Sequence, residues 1–143
     1  MANGTAVHTD TRRKIIDATI IVAAKHGFER ATTEEISRTA GVSEGIIYHY
    51  FRSKQELYIS MIRERADNYR QALGSEIARI GSPRRKLERL IDFHFANFTG
   101  KKSIFRGALD RTSDMPVIKE QLLKVAILPY CRIISEIIRE GVK

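Results

Sequence analysis

Ser43, Glu44 and Gly45 stand in a row, Tyr48 follows one helical turn later, and Lys54 lies just beyond Phe51. These residue types at this spacing suit the surface of a nucleic acid. A helix entering the major groove needs small residues at its leading end, so that backbone and short side chains reach base edges, and Ser43, Glu44 and Gly45 fit that need. Gly45 is the most informative, because a glycine inside a helix costs about 1 kcal/mol relative to alanine. Such a cost makes sense where a side chain would collide with a partner; the alternative is a glycine tolerated near a fraying helix start. Glu44 has two readings of equal weight, an acceptor for a cytosine amino group or a carboxylate stabilised by the dipole at a helix start. Lys54 combines a cation with the free N–H groups of a helix start and so can clamp a phosphate; Thr33, at the start of an earlier helix, can clamp in the same way.

Catalysis finds no support in the same scan. The histidines at 8, 26, 49 and 94 have no metal-ligand spacing with one another or with Cys131, and no His-Glu-x-x-His, Walker or dinucleotide-binding pattern occurs. No metal, cofactor or enzymatic activity is therefore expected, and His94 reads as a satisfied helix-face histidine.

The elements that must position these residues read as helices joined by short turns. Proline is almost absent until Pro83, glycines fall at intervals that match helix ends, and alternating strand patterns are missing, so an all-α fold is expected. A first helix runs from about Asp10 to His26, with Thr9 as cap and Gly27 as stop. Arg12, Arg13 and Lys14 then sit in its first turns, where the macrodipole disfavours cations. That placement hints at an external anion, with a solvated basic face as the commoner explanation. Thr32 and Glu35 have capping-box spacing, with Thr33 a second candidate cap, for a short helix to Ala40. Gly41 takes a left-handed turn, Val42 points into the core and Ser43 caps a helix over Glu44–Tyr50, which makes a helix, a three-residue turn and a helix. Ile47 and Phe51, four apart on the far side from the leading residues, belong to the core. Ser53 and Glu56 repeat the capping-box spacing and open a long fourth helix to about Ile80. Ser82 and Pro83 start a fifth, to Phe98, with Leu87, Leu90, Ile91, His94 and Phe98 on one side and Gly100 as its end. A short sixth helix spans about Ser103 to Arg111. A seventh, from Met115 or Pro116 to Arg139, bends near Pro129, which removes one backbone donor.

From Ile15 to Leu57, the Gly27-Phe28 pair, the Gly41-Val42-Ser43 turn, the run Tyr48-His49-Tyr50-Phe51 and the Ser53-Lys54 step closely resemble the amino-terminal domain of tetracycline-repressor (TetR) family regulators. The resemblance implies a three-helix helix-turn-helix DNA-binding domain over residues 1–55, joined by the fourth helix, from about residue 54, to a helical effector-binding and dimerisation domain over 56–143. It implies that Tyr48 reaches the sugar-phosphate backbone or a base, that Tyr50 contacts a phosphate, and that His49 holds a variable position that often faces DNA. The residue-level alternative for Tyr48 is a half-buried aromatic. By the same resemblance the chain is expected to be a sequence-specific transcriptional regulator, a repressor, in the bacterial cytoplasm. It would bind a palindromic double-stranded DNA operator as a homodimer and be released by a small, largely apolar effector.

The second half carries many apolar side chains, most of which a core explains. Phe95, Phe98, Phe105 and Leu109 are the candidates for an effector pocket, each fitting plain core equally well. The chain ends where the seventh helix would finish, so two further helices usual in the family are missing. A domain truncated at its carboxy terminus is the expectation, with an unusual mode of dimerisation as the alternative.

With 143 residues the chain is about one ordinary domain in size. Its single cysteine allows no intrachain disulfide, its polar first ten residues are no signal peptide, and no apolar run approaches a membrane span. Lys and Arg outnumber Asp and Glu by 25 to 17, a net charge of +8 that favours a polyanionic partner. Residues 1–54 hold eight basic and six acidic side chains, a balance of +2 that leaves +6 for the remainder. The excess is therefore not focused on the helix-turn-helix, and the motif must carry the case. A basic helical module lying on RNA or anionic membrane without sequence preference is the competing reading. Against it, the basic residues are dispersed and the recognition segment carries Ile46 and Ile47 instead of a lysine stripe.

Overall fold

Caps and glycines written into the chain set where the amino-terminal helices begin and end. The computed structural model describes residues 3–98 and 116–142, with side chains from Asp10 to Asn97 and from Pro116 to Val142. The elements are α1 (Asn3–His26), α2 (Thr33–Ala40), α3 (Glu44–Tyr50), α4 (Lys54–Ile77), α5 (Pro83–Phe98), α6 (Pro116–Leu122), a π-helical turn (Leu123–Ile127) and α7 (Leu128–Gly141). No strand occurs among the described residues, as the all-α expectation requires. The helix expected over 103–111, with Phe105 and Leu109, lies outside the described residues, and of Phe98 only the backbone is described.

Helix α1 starts at Asn3, so Thr9 lies inside it and is not its cap. Arg12, Arg13 and Lys14 consequently fall beyond the first turn, and the dipole argument for an external anion lapses. Their charges are met within the chain. Arg12 Nη1 donates to Glu64 Oε2 at 3.0 Å and its guanidinium lies 5.4 Å from the centre of the Phe51 ring, while Arg13 lies 4.0 Å from Asp17 and Lys14 2.7 Å from Asp10.

Gly27 closes α1 at φ 79°, its N–H donating to the Ala23 carbonyl at 2.9 Å. Thr32 Oγ1 accepts from the Glu35 N–H at 3.1 Å and caps α2, and the Glu35 carboxylate is engaged by His26 Nε2 at 3.0 Å. Ser53 caps α4 by accepting from the Glu56 N–H at 3.1 Å, while Glu56 reaches back to the N–H of Arg52 at 2.8 Å. Helix α4 ends at Ile77, a turn short of the expected Ile80.

The main core gathers Ile15, Ile16 and Val22 of α1, Phe28, Ile36 of α2, Ile47 of α3, Phe51, and Leu57, Tyr58, Met61 and Ile62 of α4. Burying each such side chain contributes about 1.5–3 kcal/mol. Ile118 and Leu122 of α6 pack into the same core, so a segment from late in the chain completes the interior that holds the early helices. No buried side-chain polar atom among the described residues lacks a partner.

A second cluster joins Leu73 of α4, Leu90 of α5 and Ile137 of α7, flanked by Tyr69, Leu87, Phe93 and Tyr130. Here the expected covered face of α5 needs correction: Ile91 is 51% exposed and Phe93 packs against the cluster in its stead. The expected single helix bent at Pro129 is also refined. The proline ring lacks an N–H and would collide with the carbonyl four residues earlier, that of Val125. The π turn spans this point, and the Val125 carbonyl accepts from Arg70 Nη1 of α4 at 2.5 Å.

Candidate DNA-binding surface

Two short helices meet at a turn that only a particular backbone permits. Gly41 sits at φ 69°, ψ 33°, the left-handed region, with its N–H donating to Arg38 O at 3.3 Å and the Val42 N–H to Ser37 O at 3.0 Å. Ser43 takes the extended cap conformation at the start of α3 without a side-chain cap bond, the Ile46 N–H donating to its carbonyl at 3.0 Å instead. Buried Ile47 and Phe51 anchor one side of α3 to the core, as their spacing predicts. The opposite side is thereby turned outward: Ser43, Glu44, Gly45, Tyr48 and His49 are all exposed, Tyr48 at 51%.

Gly45 gains its meaning from what surrounds it. A Cβ built there would meet only Ser43 Oγ, at 3.8 Å, so nothing inside the protein demands a glycine at this position. Ile46, 39% exposed, adds an apolar patch beside it.

Thr33 leads α2 beside this surface. Its hydroxyl donates to Glu44 Oε2 at 2.7 Å and lies 3.4 Å from the Tyr48 hydroxyl, so three side chains from two helices form one exposed polar group. The hydroxyl hydrogen is thus already used, and the first-turn N–H of α2 is what Thr33 has left for a phosphate. Tyr50 is half-buried against the core, with the His49 ring edge-on at 5.3 Å.

Lys54 Nζ donates to the Glu29 carbonyl at 2.9 Å and lies 5.5 Å from the centre of the Tyr58 ring. Burial lowers the pKa of Lys54 from its usual value, with the Glu29 carboxylate acting the other way. An ammonium has three donors, so two remain for an anion. Beneath it the fully buried Tyr58 donates to Phe28 O at 2.6 Å and lies 3.3 Å from Ala31 O, packed edge-on against Phe28. Burial pushes the Tyr58 hydroxyl well above its ordinary pKa. Lys54 and Tyr58 together tie the segment between α1 and α2 to α4, and that segment presents Thr33.

The expected effector-side residues are less gathered. Phe95 is 58% exposed, edge-on to His94. Sequence reasoning missed the aromatic group that forms nearby: Tyr69 of α4, Phe93 and His94 of α5 and Tyr130 of α7, with His94 and Tyr130 stacked at 5.5 Å and Tyr69 edge-on to Tyr130 at 5.8 Å. Burial raises the pKa of both tyrosines. Tyr69 and Tyr130 lie 61 positions apart, so only the packing of α4 on α7 joins them.

The fold and the outward face of α3 define a helix-turn-helix DNA-binding protein. Residues 15–61 match the family model of bacterial regulatory proteins of the tetR family. The chain is 25% identical over 130 residues to the fatty acid metabolism regulator protein of Bacillus subtilis, a match covering 91% of this chain and 67% of that one. It is 37% identical over 86 residues to the HTH-type transcriptional regulator BetI of Escherichia coli, covering 59% of this chain and 44% of BetI. The crystal structure of FadR from Bacillus subtilis, solved in complex with stearoyl-CoA, aligns with a TM-score of 0.80 at 26% identity, over 91% of this chain and 70% of that one. FadR from Bacillus halodurans aligns at 0.78 and 26%, over 91% and 67%. The matched part of this chain thus corresponds to about two thirds of the FadR chains and less than half of BetI. In this chain the helix-turn-helix is followed by a helical second part.

Proposed function

We propose that this chain is a transcriptional regulator that binds a palindromic operator as a two-fold dimer, inserts α3 in the major groove, and acts as a repressor in the bacterial cytoplasm. The observation that carries this reading is Gly45: an exposed helical glycine whose Cβ would meet only Ser43 Oγ, directly following Ser43 and Glu44, which are able to meet base edges. Ser43, Glu44 and His49 are assigned to the groove. Tyr48, Tyr50, Lys54 and the N–H of Thr33 are assigned to the sugar-phosphate backbone on either side. One recognition helix reads only a few base pairs, and paired half-sites supply the specificity a genome requires.

A largely apolar effector held among α4, α5 and the segment from α6 to α7 would release the operator. Support comes from the stearoyl-CoA in the Bacillus subtilis structure, whose acyl chain is largely apolar. Phe95, Phe98, Phe105 and Leu109 are its candidate walls, and Tyr69 and Tyr130 are added to them as further candidates. A ligand shifts the equilibrium only by its differential affinity for the two states, so operator must weaken effector binding by the factor by which effector weakens operator binding.

The test is selection of bound duplexes from a random pool. A palindromic consensus with half-sites about one helical turn apart is expected; enrichment of no sequence, or of a single asymmetric half-site, refutes the proposal.

A further inference from the structure

The contact between α2 and α3 carries more than the packing of two helices. Thr33 Oγ1 donates to Glu44 Oε2 at 2.7 Å, a short, charge-assisted hydrogen bond, and the Tyr48 hydroxyl stands 3.4 Å from the same Thr33 oxygen. A threonine hydroxyl has one hydrogen. Given to Glu44, it is withheld from phosphate, while the oxygen lone pairs remain able to accept from Tyr48. Glu44 is exposed, and a glutamate in that setting would otherwise sample many rotamers near a polyanion that repels it.

We infer that Thr33 is a positioning residue for Glu44, and that the pair selects a base bearing an amino group in the major groove, namely cytosine, at one position of each half-site. The inference rests on the DNA-binding reading above. With Oε2 held, Oε1 of Glu44 remains an acceptor. Cytosine offers the N4 amino donor there, whereas guanine O6 and thymine O4 are acceptors that a carboxylate repels. Adenine N6 is also a donor, but the purine's N7 acceptor beside it faces the same carboxylate, so cytosine is favoured.

The roles of positioning residue and phosphate clamp separate in a binding experiment on the full chain. The pool selection is first run on the wild type, then affinities are measured for the consensus duplex and for duplexes changed at each half-site base. Thr33→Val, which keeps the shape and removes the hydroxyl, should lower discrimination at one cytosine by roughly tenfold and leave the other positions alone. Thr33→Ser, which restores the hydroxyl, should restore discrimination at that base. Glu44→Gln should lose preference at the same base, and the double variant should lose no more than Glu44→Gln alone. If Thr33→Val weakens all duplexes alike and flattens the salt dependence, Thr33 is a phosphate contact and the inference is overturned. Discrimination unchanged in Thr33→Val, or losses at different bases in the two variants, overturns it as well. Failure of the wild type to enrich any sequence is a distinct result, since it removes the DNA-binding reading itself. Thermal unfolding of each variant identifies any that fails to fold, and Glu44→Gln, at an exposed site, then carries the test.

Discussion

Replacing Tyr58 by phenylalanine removes one oxygen from the base of the DNA-binding domain and isolates what that oxygen holds. Tyr58 is fully buried, and its hydroxyl serves the carbonyl of Phe28 at 2.6 Å and lies near that of Ala31 at 3.3 Å. Phenylalanine fills the same space, so no cavity term arises, and the cost is that of leaving buried carbonyls without a donor, about 1–2 kcal/mol. At a urea m-value of about 2 kcal/mol per molar the unfolding midpoint should fall by roughly 0.5–1 M. The pH dependence gives an independent check. Unfolded, a tyrosine ionises near 10; folded, burial holds this one well above that. Below pH 10 both states keep the proton and this group contributes no slope. Above it the unfolded chain loses the proton first, so stability falls by about 1.4 kcal/mol per pH unit until the folded group ionises. The phenylalanine variant lacks that fall, while Tyr69 and Tyr130 contribute equally to both proteins. The gap between the two should therefore be constant from pH 7 to 9 and close by about pH 11. Urea titrations followed by circular dichroism at several pH values measure it. A midpoint unchanged at pH 7 would refute the hydrogen-bond argument, and a gap that stays constant through pH 11 would refute the buried proton.

Gly45→Val should leave the unfolding free energy within a few tenths of a kcal/mol of wild type, because only Ser43 Oγ is near, yet abolish binding to the selected operator; retained affinity would deny close approach at that position. Tyr48→Ala, at an exposed site, should weaken consensus and random duplex by the same factor, read by fluorescence anisotropy at fixed salt, since backbone contacts carry no sequence information. Gly41→Ala meets no atom within 4 Å, so its cost is backbone strain alone, roughly 1–2 kcal/mol, seen as a lower thermal midpoint. Arg70→Met removes the donor to the Val125 carbonyl at the π turn and should lower stability by about 1–3 kcal/mol in urea, with an unchanged midpoint counting against that contact.

The helix-turn-helix was legible in the sequence because its signals act over four residues or fewer. Thr32 and Ser53 cap the backbone N–H three positions on, and Gly41 takes the left-handed turn by virtue of having no Cβ. The four-residue spacing of Ile47 and Phe51 fixes which side of α3 is buried, and hence that Glu44, Gly45 and Tyr48 face outward. Local rules were less decisive where nothing marked the end: α1 extends seven residues before Asp10 without a strong cap to announce it. The tertiary structure alone decided which distant groups meet. Thr33 finds Glu44 across 11 positions, Lys54 finds the Glu29 carbonyl across 25, and Arg12 finds Glu64 across 52. The same holds for the aromatic group of Tyr69, His94 and Tyr130, and for Ile118 and Leu122 closing a core begun a hundred residues earlier. A cap needs only the backbone beside it, whereas each of these pairings depends on the angle and depth at which whole helices pack, which the balance of buried surface over the entire chain determines.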